Sequence, residues 1–236
     1  MSLKAVFLDV GNTLICEQPS RFAIYAEAAQ RRGVMLTPDE MRLLMVRAHA
    51  ELPQEHEGDY RYSDGWFRIY LRRIFHEHLS LPEKELEAIA TELFGRFEDP
   101  ATFQPFPGAH ELLDDLRARG LALGVISNWS ARLPKLLRRL DFDRRLDVVM
   151  CSAIERMEKP EPEIFAAALE RVGCRPDEAL HAGDDLVKDA RGAAAAGLEA
   201  ILVDHFGALH PERGETDGYP VVTNLASLED LILNRP

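Results

Sequence analysis

Cysteine, positive charge and long apolar runs are all scarce in this sequence. Its 236 residues include 3 cysteines, Cys16, Cys151 and Cys174, an odd number without motif spacing. A disulfide framework is not expected, and a reducing, cytoplasmic setting is. No stretch approaches the roughly 18 apolar residues that span a bilayer. The first apolar run, Ala5–Leu8, stops at Asp9, so neither a membrane span nor a secretory leader is expected. The 28 Lys and Arg are outnumbered by 40 Asp and Glu, a formal net charge of −12. A surface so acidic disfavours nucleic acid, whose binding rests on phosphate–cation contacts, and anionic membranes as well. Internal repeats are lacking, as are the Walker lysine loop, the G-x-G-x-x-G loop and the G-x-S-x-G elbow. What remains is an ordinary globular composition, 46% hydrophobic and 29% charged.

Short apolar runs recur at Lys4–Asp9, Leu121–Ile126, Val148–Met150, Ala179–Ala182, Ala200–Val203 and Val221–Val222. Unbroken apolar character over so few residues predicts strands buried on both faces, as in a parallel sheet. Helical patterns at His110–Arg119, Leu133–Leu140, Pro162–Arg171 and Asp189–Ala196 separate them. This alternation predicts a doubly wound, Rossmann-like α/β core. Residues 17–104 differ. They carry no strand signal, and Thr37-Pro38-Asp39-Glu40 and Ser80-Leu81-Pro82-Glu83 read as capping boxes. Trp66, Phe67, Tyr70, Leu71, Ile74 and Phe75 recur at helical spacing. The expectation is an all-helical domain at 17–104 inserted into a core made of 1–16 and 105–236, with Pro105–Gly108 as the return hinge.

Open parallel sheets gather ligands beyond the carboxyl ends of their strands. Those ends carry Asp9, then Ser127, then Lys159 in Glu158-Lys159-Pro160, then Asp184, Asp185 and Asp189. Taken singly, each has a plain structural reading: a helix cap, a solvated lysine, a carboxylate at a helix start. A phospho-accepting receiver domain has similar parts, but its acidic pair precedes the phospho-acceptor, whereas the acidic cluster here comes last.

Together the motifs Phe7-Leu8-Asp9-Val10-Gly11-Asn12-Thr13-Leu14, Val125-Ile126-Ser127-Asn128, Glu158-Lys159-Pro160-Glu161-Pro162-Glu163-Ile164-Phe165 and His181–Gly197 resemble the haloacid dehalogenase superfamily in content and order, over nearly the whole chain. The insertion after the first motif is similar to that family's helical cap. The resemblance implies hydrolysis of a small phosphorylated metabolite, with Asp9 as nucleophile. It implies Mg²⁺ held by Asp9, the main-chain carbonyl of Gly11, and Asp184. Lys159 would pair with Asp9 and the phosphoryl oxygens, which Ser127 and Asn128 would also bind. Asp185 and Asp189 would orient metal-bound water.

One position departs from the pattern. Phosphatases of this family carry a second Asp two residues after the nucleophile, where this chain has Gly11. That carboxylate protonates the leaving oxygen and then activates water, a contribution of about 10²–10⁴-fold. The sequence therefore predicts a phosphatase with an intact phosphate and Mg²⁺ pocket but an impaired proton relay. Glu17 is a candidate substitute acid, read otherwise as a surface carboxylate. A phosphate-binding or regulatory protein without turnover is the alternative. A metal-independent 2-haloacid dehalogenase fits less well, because it has no use for the Asp184-Asp185…Asp189 cluster. His181 reads as a hydrogen-bonded structural residue, His76 and His78 as surface histidines, and Trp66 with Tyr70 as helical-domain core. Neither the substrate nor the oligomeric state is legible.

Overall fold

The computed structural model describes residues 2–234. In chain order the elements are β1 (Ala5–Leu8), β2 (Ile15–Glu17), α1 (Arg21–Gln30), α2 (Pro38–Glu51), β3 (Glu55–His56), β4 (Asp59–Tyr60) and α3 (Asp64–Leu71), which continues as a π-helical stretch over Arg72–His78. There follow α4 (Leu86–Glu98), β5 (Phe103–Pro105), α5 (Ala109–Ala118), β6 (Ala122–Ser127), α6 (Leu133–Arg139), β7 (Val148–Cys151), α7 (Ser152–Glu155), α8 (Pro162–Val172) and β8 (Ala179–Gly183). After a π-helical turn over Leu186–Arg191 come α9 (Gly192–Ala195), β9 (Glu199–Val203), β10 (Val221–Val222) and α10 (Leu225–Leu233). The chain separates into two compact units: the chain up to Cys16 with the chain from Pro105 onward, and Glu17–Gln104.

The first unit is an α/β core on a six-stranded sheet of order β10-β9-β8-β1-β6-β7. Its pairings are parallel, with Ala5 of β1 opposite both Ala122 and Ala179. Every residue of β1 is fully buried, because β1 lies at the middle of a sheet covered on both faces. Alternate residues face opposite sides. Ala5, Phe7, Ile126 and Met150 join Ile164, Phe165 and Ala168 of α8 and Ala193 of α9 in one apolar cluster. α5 packs on β6, and α10 packs on α5. This winding brings the carboxyl ends of β1, β6, β7 and β8 side by side, each followed by one of the residues that the motifs single out.

The second unit has its own core, in which Trp66, Tyr70, Ile74 and Phe75 bury against Ile24, Tyr25, Met41 and Leu93. Trp66 and Tyr70 stack with ring centroids 5.3 Å apart. At Thr37 the capping box forms as expected, Thr37 Oγ1 accepting from Glu40 N and Glu40 from Thr37 N. The second expected box does not form. Ser80 stands at φ 57, whereas an N-cap takes extended φ/ψ. A 3₁₀ turn at Glu83–Glu85 without a side-chain cap leads into α4 instead. Nor is this unit all-helical, since β3 and β4 pair antiparallel, Glu55 with Tyr60 and His56 with Asp59. Their turn places Glu57 at φ 52 and Gly58 at φ 87, the two left-handed residues of a tight hairpin that a two-residue strand is too short to signal by periodicity. His76 and His78 are half-buried rather than surface residues, hydrogen-bonded to Leu81 O and Glu51 Oε2. Glu17, considered as a surface carboxylate, is buried, with Arg21 at 2.6 Å. Among the described residues no helix is long and apolar enough to cross a membrane.

Candidate active site

Asp9 leaves the end of β1 with its N–H bonded to Ala182 O of β8 at 2.8 Å. This pins it at the sheet's carboxyl edge, 7% exposed. Lys159, in the loop before α8, is 3% exposed. Its ammonium donates to Asp9 Oδ1 at 2.7 Å and to Asp189 Oδ1 at 2.5 Å. Burial pulls the lysine's pKa down, but the Asp189 and Asp9 carboxylates outweigh it, so the ammonium stays charged.

Asp189 is fully enclosed. Oδ1 also takes a hydrogen bond from His181 Nε2 at 2.9 Å, and Oδ2 takes the N–H of Asp185 at 2.9 Å. Burial raises its pKa, but Lys159 and His181 pull it down further, and the net shift is downward. His181 is itself driven toward the neutral form by burial, against the opposing pull of Asp189. Among the described residues its Nδ1 is buried without a partner, so the imidazole serves as an Nε2–H donor that fixes Asp189, in keeping with a structural reading.

Two of the expected site side chains have main-chain partners. The Asn128 amide is clamped to the main chain of Lys159, accepting from Lys159 N at 2.8 Å and donating to Lys159 O at 2.9 Å. The Asp185 carboxylate caps the turn that follows, accepting from Val187 N and Lys188 N at 2.9 Å and pairing with Lys188 Nζ. Burial raises its pKa, but the Lys188 N–H and the Lys188 ammonium outweigh it, and the net shift is downward. Both side chains lie next to open backbone donors, which sequence spacing does not reveal. Ser127 is buried at the end of β6, and Gly11 is half-buried in the turn after β1, bridged to Ile15.

Asp9, Asp184 and Asp189 each place a carboxylate oxygen within 4.8 Å of the others. One ammonium thus faces three carboxylates. Burial first, then the charges of Asp9 and Asp189, pushes Asp184 up to about 7. A cluster of oxygen donors with uncompensated negative charge suits a hard divalent cation such as Mg²⁺. The residues present therefore fit the ion the motifs imply. One contact was missed from sequence: Asn12 Nδ2 donates to Asp184 Oδ2 at 3.1 Å. The two positions lie 172 residues apart, so no local sequence signal joins them.

The haloacid dehalogenase-like hydrolase family profile matches residues 3–197. The chain belongs to this family of hydrolases. Relatives include a glyceraldehyde 3-phosphate phosphatase of Methanothermobacter thermautotrophicus, 33% identical over 86% of this chain and 86% of that protein. Human haloacid dehalogenase-like hydrolase domain-containing protein 3 is 30% identical over 89% of this chain and 86% of its own length. Among solved structures, a 2-haloacid dehalogenase from Pseudomonas syringae superposes with a TM-score of 0.68 at 25% identity, covering 98% of both chains. The scaffold of this family thus accompanies relatives named for different chemistries, and the carboxyl edge of the sheet is what separates the readings for this chain.

Proposed function

We propose that this chain is a Mg²⁺-dependent phosphatase acting on a small phosphorylated molecule through an aspartyl-phosphate at Asp9, with weak turnover because residue 11 is glycine. The observation that carries the reading is Lys159, bridging Asp9 and Asp189 beside a third carboxylate, Asp184. A dehalogenase that works without metal has no need of that acidic excess.

Lys159 engages Asp9 Oδ1 and leaves Oδ2 to attack phosphorus. The new O–P bond forms as the bond to the leaving oxygen breaks, and the leaving group departs as an anion or takes its proton from solvent. Water then attacks phosphorus and gives up its proton to solvent, releasing phosphate and restoring the Asp9 carboxylate. The Lys159 ammonium and the Ser127 hydroxyl stabilise charge on the phosphoryl oxygens, and the Asn128 amide keeps Lys159 in place. Asp189, held by His181, fixes the ammonium from the other side. Mg²⁺, held by Asp9, the Gly11 carbonyl and Asp184, would supply the positive charge that lets a carboxylate meet a phosphate dianion. No side chain at residue 11 delivers the proton to the leaving group. Aryl and acyl phosphates, which need least protonation, should therefore turn over best.

The test is a Mg²⁺-supplemented screen of aryl, acyl and sugar phosphates with Asp9→Asn as control. Turnover on aryl and acyl phosphates that is absent from the variant is the expected result. Metal-dependent hydrolysis surviving in Asp9→Asn would remove Asp9 from the nucleophile role. Phosphate binding without turnover on any class would favour the regulatory reading that Gly11 suggests.

A further inference from the structure

The first motif carries a residue to which the phosphatase reading assigns no task. Asn12 stands at φ 57, in the left-handed region that asparagine tolerates better than most side chains. Its main-chain N–H donates to Ile15 O at 2.7 Å and closes the turn, while its side-chain Nδ2 reaches Asp184 Oδ2 at 3.1 Å. The Lys159 ammonium is engaged elsewhere, on Asp9 and Asp189. Asp184 is thus the member of the carboxylate cluster served by a neutral amide.

We propose that Asn12 is a positioning residue for the cation, its amide holding Oδ2 of Asp184 so that the carboxylate is fixed in rotation and its remaining oxygen is offered to a divalent ion. The inference rests on the cation reading above. Asparagine meets both demands of the position: it takes the left-handed turn and it donates. Glycine would keep the turn and lose the donor, whereas alanine would lose the donor and strain the turn. The turn has other anchors. His205 Nε2 lies 3.0 Å from Thr13 O, the His205 ring stacks on Phe106 at 3.7 Å between centroids, and Phe106 N donates to Leu14 O at 2.9 Å. Loss of the Asn12 side chain should therefore leave the loop in place.

The test measures Mn²⁺ affinity of the full chain without substrate, by electron paramagnetic resonance of free Mn²⁺, for wild type, Asn12→Gly, Asn12→Ala and Asp184→Asn. Groups that orient metal ligands typically contribute about 10–100-fold in affinity. Asn12→Gly and Asn12→Ala should both weaken binding by that order and by the same factor. The melting temperature of the metal-free protein should fall further in Asn12→Ala than in Asn12→Gly, and Asp184→Asn should weaken binding at least as much. Wild-type affinity in Asn12→Gly, with binding lost in Asp184→Asn, overturns the role of Asn12 and leaves the cation reading standing. Wild-type affinity in Asp184→Asn overturns both.

Discussion

Gly183 and Asp189 share one space. A Cβ on residue 183 would stand 2.2 Å from Asp189 Cγ, so the carboxylate that Lys159 and His181 reach fills the place of a side chain. Gly183→Ala must push Asp189 away from both partners. The expected loss in urea unfolding is about 1–3 kcal/mol, the usual range for overpacking. Gly95→Ala is the control. It lies within α4 with nothing within 4 Å of the added carbon, and should stabilise the protein by about 0.4–1 kcal/mol. A Gly183→Ala loss no larger than the ~0.5 kcal/mol of an ordinary surface change would mean that Asp189 moves without consequence.

Lys159 is the positive charge that lets Asp9 and Asp189 be buried side by side. Lys159→Met keeps most of the stem volume and removes the ammonium, leaving two carboxylates without their shared partner. Breaking a buried pair from one side costs about 3–5 kcal/mol. Neutralising one orphan should recover part of that loss, so Lys159→Met with Asp189→Asn is expected to be more stable than Lys159→Met alone. Denaturant midpoints of the four proteins of this cycle measure the coupling, and strictly additive losses would show that the bridge carries no net energy.

The core strands and the order of the motif residues were legible in the sequence because buried parallel strands are short, apolar and bounded. Each motif residue then follows a strand end, where the topology gathers them. Partner choice was less legible. Asn128 and Asp185 are residue types that bind phosphate or water as readily as backbone N–H, and which they do depends on the donors that the loops before α8 and α9 bring within 3 Å. The Asn12–Asp184 contact joins positions 172 residues apart in sequence, and no local pattern encodes it. The second capping box failed for a related reason: its residues fit the pattern, but the turn out of the π-helical stretch set Ser80 at positive φ.

The crowding of carboxylates predicts a pH dependence of the metal-free protein. Asp184 is pushed from an ordinary 3.8 up to about 7 by burial and by the charges of Asp9 and Asp189. Between these values the folded protein holds a proton that the unfolded chain has released. Its stabilising contribution is therefore complete below the ordinary value and lost as pH rises through about 7. Asp189 has the opposite sign: its pKa is depressed, so its contribution holds across the neutral range and is lost only in strong acid. The melting temperature of the metal-free protein should fall between about pH 4 and 7 and level off above, and Asp184→Asn should flatten that slope. Parallel curves for the two proteins would remove Asp184 as the titrating group.

Residue 11 is where binding and proton transfer are expected to part. Only the Gly11 main-chain carbonyl is assigned to the cation, so a side chain added there can change proton transfer without removing a ligand. Gly11→Asp should raise turnover on alkyl phosphates, whose leaving oxygens need a proton, by up to about 10²–10⁴-fold. Aryl phosphates, whose leaving groups depart as stable anions, should gain far less. The second half-reaction makes a separate demand, since hydrolysis of the aspartyl-phosphate needs a base for the incoming water whatever the leaving group was. Intact-protein mass spectrometry after a pulse of aryl phosphate should therefore find a phosphoryl adduct that persists in the wild type and decays faster in Gly11→Asp. An unchanged ratio of alkyl to aryl turnover, together with an adduct of equal lifetime, would show that the proton is carried by a group other than residue 11. The selectivity between leaving groups and the lifetime of the adduct report on the two steps independently, so a variant that repairs only one of them is also identified.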